Sequence, residues 1–121
     1  MVGVAKHMDM VRSMGCCVCH NKIRATFHHC HGGSIIEWFG FMKNPGMGQR
    51  QSDWLGIPLC HHHHVGSMGI DTGMGGAVGV IQWEWMFGTQ IGHLLWVDDQ
   101  LKYDIFEMAM VPRPPEKLRN A

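Results

Sequence analysis

The chain has 121 residues, enough for one domain with a single core. Lys plus Arg and Asp plus Glu each number 10, and only 17% of residues are charged against 45% hydrophobic. The balance excludes a uniformly basic nucleic-acid coat and an acidic disordered tail. Histidine is the anomaly: there are 10, joined by five cysteines, a density that points to metal.

The zero net charge hides an asymmetry. Residues 1–60 carry Lys6, Arg12, Lys22, Arg24, Lys43 and Arg50 against Asp9, Glu37 and Asp53, a net of +3. Residues 61–112 carry Lys102 against Asp71, Glu84, Asp98, Asp99, Asp104 and Glu107, a net of −5, and the tail returns +2. An anionic ligand would therefore meet the first half. The first 14 residues lack the continuous apolar core of a signal peptide. No apolar run approaches the ~20 residues of a membrane span. The expected compartment is the cytoplasm, where an odd set of cysteines reads as ligands or free thiols.

In chain order, Val4, His7, Met8 and Val11 recur at spacings of three and four and predict a helix over 4–13, ended by Gly15. Residues 32–53 read as a loop because of Gly32-Gly33, Asn44-Pro45-Gly46 and Gly48. That loop holds Trp38, Phe39 and Phe41, aromatics that either pack on their own domain or meet a partner. Trp54–Cys60 reads as a short strand and His61 to about Ser67 as the start of a helix. Residues 69–79 are glycine-rich and irregular. A helix over 80–87 is closed by Gly88, and Thr89 is a fair N-cap for another over roughly 90–110. Pro112-Arg113-Pro114-Pro115 marks a frayed tail.

Two ligand pairs stand out: Cys16-x-x-Cys19 and Cys60-x-x-His63. Two intervening residues let a tight turn aim both side chains at one ion about 2.0–2.3 Å away. Together they would close a tetrahedral, structural zinc site. Cys17 is the substitute for Cys16, but its spacing to Cys19 is poor. The second cluster is Phe27-His28-His29-Cys30-His31-Gly32-Gly33. Neighbours on a strand face opposite ways. One of His28 and His29 would ligate a metal, and the other would act on water. His64 follows His63, and helical neighbours differ by about 100°, so His64 is free to face a different pocket.

This order of motifs resembles an HNH (ββα-metal) endonuclease with a built-in zinc knuckle. The nearest pattern is that of phage recombination-enhancement nucleases that work with RecA. The similarity is carried by Gly15-Cys16 with Cys19, Phe27-His28-His29, Gly46-Met47-Gly48-Gln49-Arg50 with Ser52, Ile57-Pro58-Leu59-Cys60 with His63-His64, and Phe87-Gly88-Thr89. The resemblance implies a small, loop-rich, zinc-stabilised α+β fold of the ββα-metal class with flanking helices. A helical lead-in (1–14) would precede a nuclease domain (15–110), and a flexible tail (111–121) would follow it. It assigns Cys16, Cys19, Cys60 and His63 to structural zinc, His28 and His64 to a catalytic metal, and His29 to the role of general base. Where the family often has Ile-His, this chain has Ile70-Asp71, which makes Asp71 a candidate third ligand. The family's long basic N-terminal arm is missing.

The expected reaction is phosphodiester hydrolysis of DNA. His29 takes a proton from water, and Mg²⁺ or Mn²⁺ on His28, His64 and Asp71 stabilises developing charge. Gln49, Arg50, Lys43, Lys22 and Arg24 are the candidate phosphate contacts. A RecA-type recombinase filament is a candidate partner, and no membrane is. The alternative is a non-catalytic zinc module that binds nucleic acid or protein. A different zinc hydrolase is weakened by the absence of His-Glu-x-x-His, and metal storage has only the histidine count in its favour.

Overall fold

The computed structural model describes residues 2–41, 52–72 and 79–119. Helix α1 (Val4–Ser13) is followed by strand β1 (Thr26–His29), helix α2 (Gly33–Phe41), strand β2 (Gly56–Leu59) and the single turn α3 (His61–His64). Helices α4 (Val80–Phe87), α5 (Gln90–Gln100), α6 (Ile105–Met108) and α7 (Glu116–Arg119) complete the order. The class is α+β. Among the described residues, no helix is long and apolar enough to cross a membrane.

The two strands pair antiparallel, with Thr26 opposite Leu59, Phe27 opposite Pro58, His28 opposite Ile57 and His29 opposite Gly56. All four β2 residues are buried. Pro58 has no N–H to give, which suits so short a ribbon, and its carbonyl accepts from the Cys17 N–H at 2.9 Å. Gly56 leaves room for the Phe27 ring, since a Cβ there would lie 2.0 Å from it. Helix α1 lies against this ribbon and contributes to the core. Val11 and His7 are fully buried, and the His7 ring meets those of Trp54, Phe27 and Tyr103.

Three expectations are corrected. Residues 33–41 form a helix, not a loop. Ile35, Trp38 and Phe39 sit at helical spacing on its buried face, and burying them outweighs the local breaking tendency of Gly32-Gly33. The expected helix over 90–110 is two helices. The first ends at Gln100, and Asp104 then caps α6 by accepting from the N–H groups of Phe106 (2.8 Å) and Glu107 (3.2 Å). The tail is held to the body. Arg113 pairs with Asp98 at 3.0 Å and Asp104 at 3.3 Å and lies over the Phe106 ring, and Leu118 of α7 is buried. Thr89 caps α5 as expected, accepting from the Gly92 N–H at 3.0 Å.

Trp38 is 0% exposed and touches Phe39 and Phe106, so the aromatics of 38–39 belong to the core. Truncation by Trp38→Ala is expected to cost about 3–5 kcal/mol. Denaturant unfolding followed by far-UV circular dichroism measures it. A cost below about 1 kcal/mol would place the indole outside the folding core.

Candidate metal centres

The first centre is assembled from the turn after α1 and the junction of β2 with α3. Cys16, Cys19, Cys60 and His63 each offer a donor atom within 4.8 Å of the others, so the cluster can hold a metal ion. The His63 Nδ1 atom lies 3.2 Å from the Cys60 sulfur, 3.4 Å from that of Cys19 and 3.9 Å from that of Cys16. The Cys19 and Cys60 sulfurs are 3.9 Å apart. Local structure explains the placement. Cys60 is the residue before the first turn of α3, and the N–H groups of His63 and His64 both donate to its carbonyl. The bond from Cys17 N–H to Pro58 brings the Cys16 turn alongside β2.

Electrostatics separate Cys16 from Cys17. Burial opposes ionisation of Cys16, but backbone hydrogen bonds from Cys19, Cys60 and Val18 outweigh it and hold the thiol below its ordinary value. Cys17 receives burial first, then repulsion from Cys16, and its thiol is pushed far up. Partial desolvation, then the Cys16 and Cys60 sulfurs, push Cys19 up to about 12. A cation placed among these sulfurs would favour thiolate over thiol. His63 is kept neutral by burial and by its neighbour His62, the form in which imidazole ligates.

The second centre joins β1, α3 and the segment after it. His28, His64 and Asp71 form a separate cluster that can also hold an ion. Asp71 is delivered by backbone pairing, because the N–H groups of Ile70 and Asp71 donate to the carbonyls of His63 and His64. One carboxylate oxygen, Oδ2, faces His28 Nδ1 at 3.3 Å and His64 Nε2 at 2.9 Å, while Oδ1 takes His31 Nε2 at 2.7 Å. Burial would raise the Asp71 pKa, but contacts with His28, His31 and His64 override it and hold the carboxyl ionised, far below the usual range. The same contact raises His31.

His63 and His64, one residue apart, thus serve different clusters. His29 does not join either. Strand alternation puts Thr26 and His28 on one face and Phe27 and His29 on the other, where the His29 ring lies against Phe27 and its Nε2 meets Asp53 at 2.8 Å. Of the candidate phosphate contacts, Lys22 is exposed and Arg24 is engaged by Asp9. Lys43, Gln49 and Arg50 lie outside the described residues. Sequence reasoning did not assign Asp53, Gln90 or Thr26. Their partners are 24 to 62 residues away or across the ribbon, and no motif spacing marks them. Compared with protein-family models, curated proteins and solved structures, the chain matches none.

Cys16→Ser should remove the tightly bound metal and lower the thermal midpoint. Cys17→Ser should keep the metal, because only the Cys16 sulfur faces the other three donors. Elemental analysis of the two purified variants checks this, and equal metal loss in both would remove the distinction.

Proposed function

We propose that this protein is a metal-dependent DNA endonuclease of the HNH type, cutting phosphodiester bonds by hydrolysis. The observation that carries the reading is the division of labour at His63 and His64. A closed Cys₃His cluster lies beside an incomplete His₂Asp one, and the strand that supplies His28 carries His29 next to it.

The first centre suits structural zinc. A tetrahedron with zinc–sulfur bonds near 2.3 Å and zinc–nitrogen near 2.0 Å has edges of roughly 3.5–3.8 Å, and four of the donor separations here run from 3.2 to 3.9 Å. Four protein donors leave no open position. The second centre offers three donors and leaves positions for water and phosphate. Two imidazoles with one carboxylate suit Mn²⁺ better than Mg²⁺, which prefers oxygen. A divalent ion held there would stabilise charge on the phosphate and the leaving oxygen.

His29 is the proposed base. Asp53 accepts from its Nε2–H, which leaves Nδ1 with the lone pair that takes a proton from water. The imidazolium so formed has the Asp53 carboxylate beside it. Lys22 is exposed and would meet phosphate, with Lys43, Gln49 and Arg50 as further contacts; the engagement of Arg24 by Asp9 lessens its claim. A RecA-type filament as partner, a phage or recombination role and a cytoplasmic setting rest on the resemblance alone. One observation favours the second reading, a zinc-stabilised interaction module: His29 turns to the strand face opposite His28.

Plasmid nicking with Mg²⁺, Mn²⁺ or EDTA, with and without a RecA-type filament, distinguishes the two. The nuclease reading expects Mn²⁺-supported nicking that EDTA stops. His29→Ala should reduce it by about 10²–10⁴-fold while zinc content stays the same. Undiminished nicking by that variant removes His29 from the role of base. No nicking under any condition, with one zinc per chain retained, favours the interaction module.

A further inference from the structure

We infer that Gln90 and Thr26 are positioning residues that fix the tautomers of His28 and His64, so that both rings turn a lone pair toward Asp71. The inference rests on the reading of His28, His64 and Asp71 as a metal site.

The argument begins with main-chain groups, whose polarity is fixed. The His31 N–H can only donate, and it meets Gln90 Oε1 at 3.0 Å. The His31 carbonyl can only accept, and it takes Gln90 Nε2 at 2.7 Å. These two bonds settle which end of the Gln90 amide is oxygen. That oxygen also faces His28 Nε2 at 3.0 Å, in a fully buried place. An amide oxygen has no proton to give, so the proton must sit on His28 Nε2. In the neutral ring, Nδ1 then holds the lone pair, and Nδ1 is the atom facing Asp71 Oδ2.

The same logic holds for His64. The Thr26 hydroxyl has one proton, and it donates that proton to the Leu59 carbonyl at 2.6 Å. Toward His64 Nδ1, 2.7 Å away, the hydroxyl can therefore only accept. The proton sits on Nδ1, and the Nε2 lone pair faces Asp71 Oδ2 at 2.9 Å. In these neutral tautomers two lone pairs converge on a carboxylate oxygen, and the nitrogens that donate to Asp71 when protonated are the ones a metal ion would use. A cation resolves that convergence. Histidine ligands commonly donate their other N–H to a fixed acceptor, and here the two acceptors are neutral side chains oriented by the backbone.

Gln90 is itself anchored. Its own N–H donates to Glu84 Oε2 at 2.7 Å, and that carboxylate also accepts from the Ser34 hydroxyl at 2.6 Å and the Ser34 N–H at 2.9 Å. Helices α2, α4 and α5 are thereby joined behind the amide that orients His28.

The test has two readouts. Long-range ¹⁵N–¹H spectra of the zinc-replete, Mn²⁺-free protein at about pH 8, above the ordinary histidine range, report the tautomers. They should show His28 protonated at Nε2 alone and His64 at Nδ1 alone. A His28 protonated at Nδ1, or carrying both protons, overturns the inference, as does a His64 protonated at Nε2. Mn²⁺ titration followed by the electron paramagnetic resonance of the free ion reports affinity. Gln90→Leu and Thr26→Val should weaken Mn²⁺ binding by about 10–100-fold, with zinc content unchanged. Thr26→Ser, which restores the acceptor, should bind as the parent does. Because Gln90 is buried and its variant can fail to fold, the isosteric Thr26→Val carries the decision, and parental Mn²⁺ affinity in that variant overturns the inference. If the parent binds no Mn²⁺ while both tautomers are as stated, the tautomer assignment is supported and the metal-site reading fails.

Discussion

The structure depends on how Cys16 and Cys19 meet Cys60 and His63. These pairs are more than forty residues apart in sequence, and their turn-borne donors meet where the end of α1 comes beside the end of β2. The sheet is two strands of four residues, and a hairpin-sized ribbon is marginal on its own in water. Structural zinc in comparable peptide sites contributes about 10–16 kcal/mol, as much as the whole stability of a small domain. With zinc bound as proposed, the ribbon is fixed by its ends rather than by its length. The α1 and α5 helices then add apolar cover through Val11, Ile91, Leu94 and Val97.

The ribbon in turn sorts the histidines. Because side chains alternate across a strand, Thr26 and His28 share one face and Phe27 and His29 the other. The first face meets α3 and Asp71, where His28 and His64 lie among polar partners. The second face meets α1 and Trp54, where aromatic packing dominates and the Asp53 carboxylate waits at the rim. Two adjacent residues of one type thus enter different chemical environments, one dry and closed, the other open to water.

What could be read in the sequence follows from range. The Cys-x-x-Cys and Cys-x-x-His pairs are local devices: two intervening residues make a turn whatever the rest of the chain does. Helix α1, the Thr89 cap and the break at Gly88 are local too. Helix α2 was hidden because Gly32 and Gly33 outweigh their neighbours in any short window. Yet the Ile35, Trp38 and Phe39 spacing was present, and burial decided it. The tail follows the same logic: prolines forbid a continuous helix, but they do not prevent Arg113 and Leu118 from docking. Gln90 and Asp53 could not be found by pattern at all. A glutamine at the first position of a helix carries no mark that its amide will reach a histidine 62 residues earlier.

The link between the two centres is a single peptide unit, and this has a mechanical consequence. His63 and His64 lie on one short turn, with directions about 100° apart. Any ion that fixes the His63 ring also fixes the backbone from which His64 departs. Ile70 and Asp71 hang from the carbonyls of those same two residues, so the carboxylate shares that reference. His28 is tied separately, through β1 and Gln90. The three donors of the second centre are therefore held by the α3 turn, by Thr26 of β1 and by the Glu84–Gln90 brace. Productive ligand geometry tolerates errors of only about half an ångström. A turn of four residues with no cap of its own could not hold that tolerance alone. An ion in the closed cluster would therefore also steady the open one, which is a physical reason for His63 and His64 to stand side by side just after Cys60.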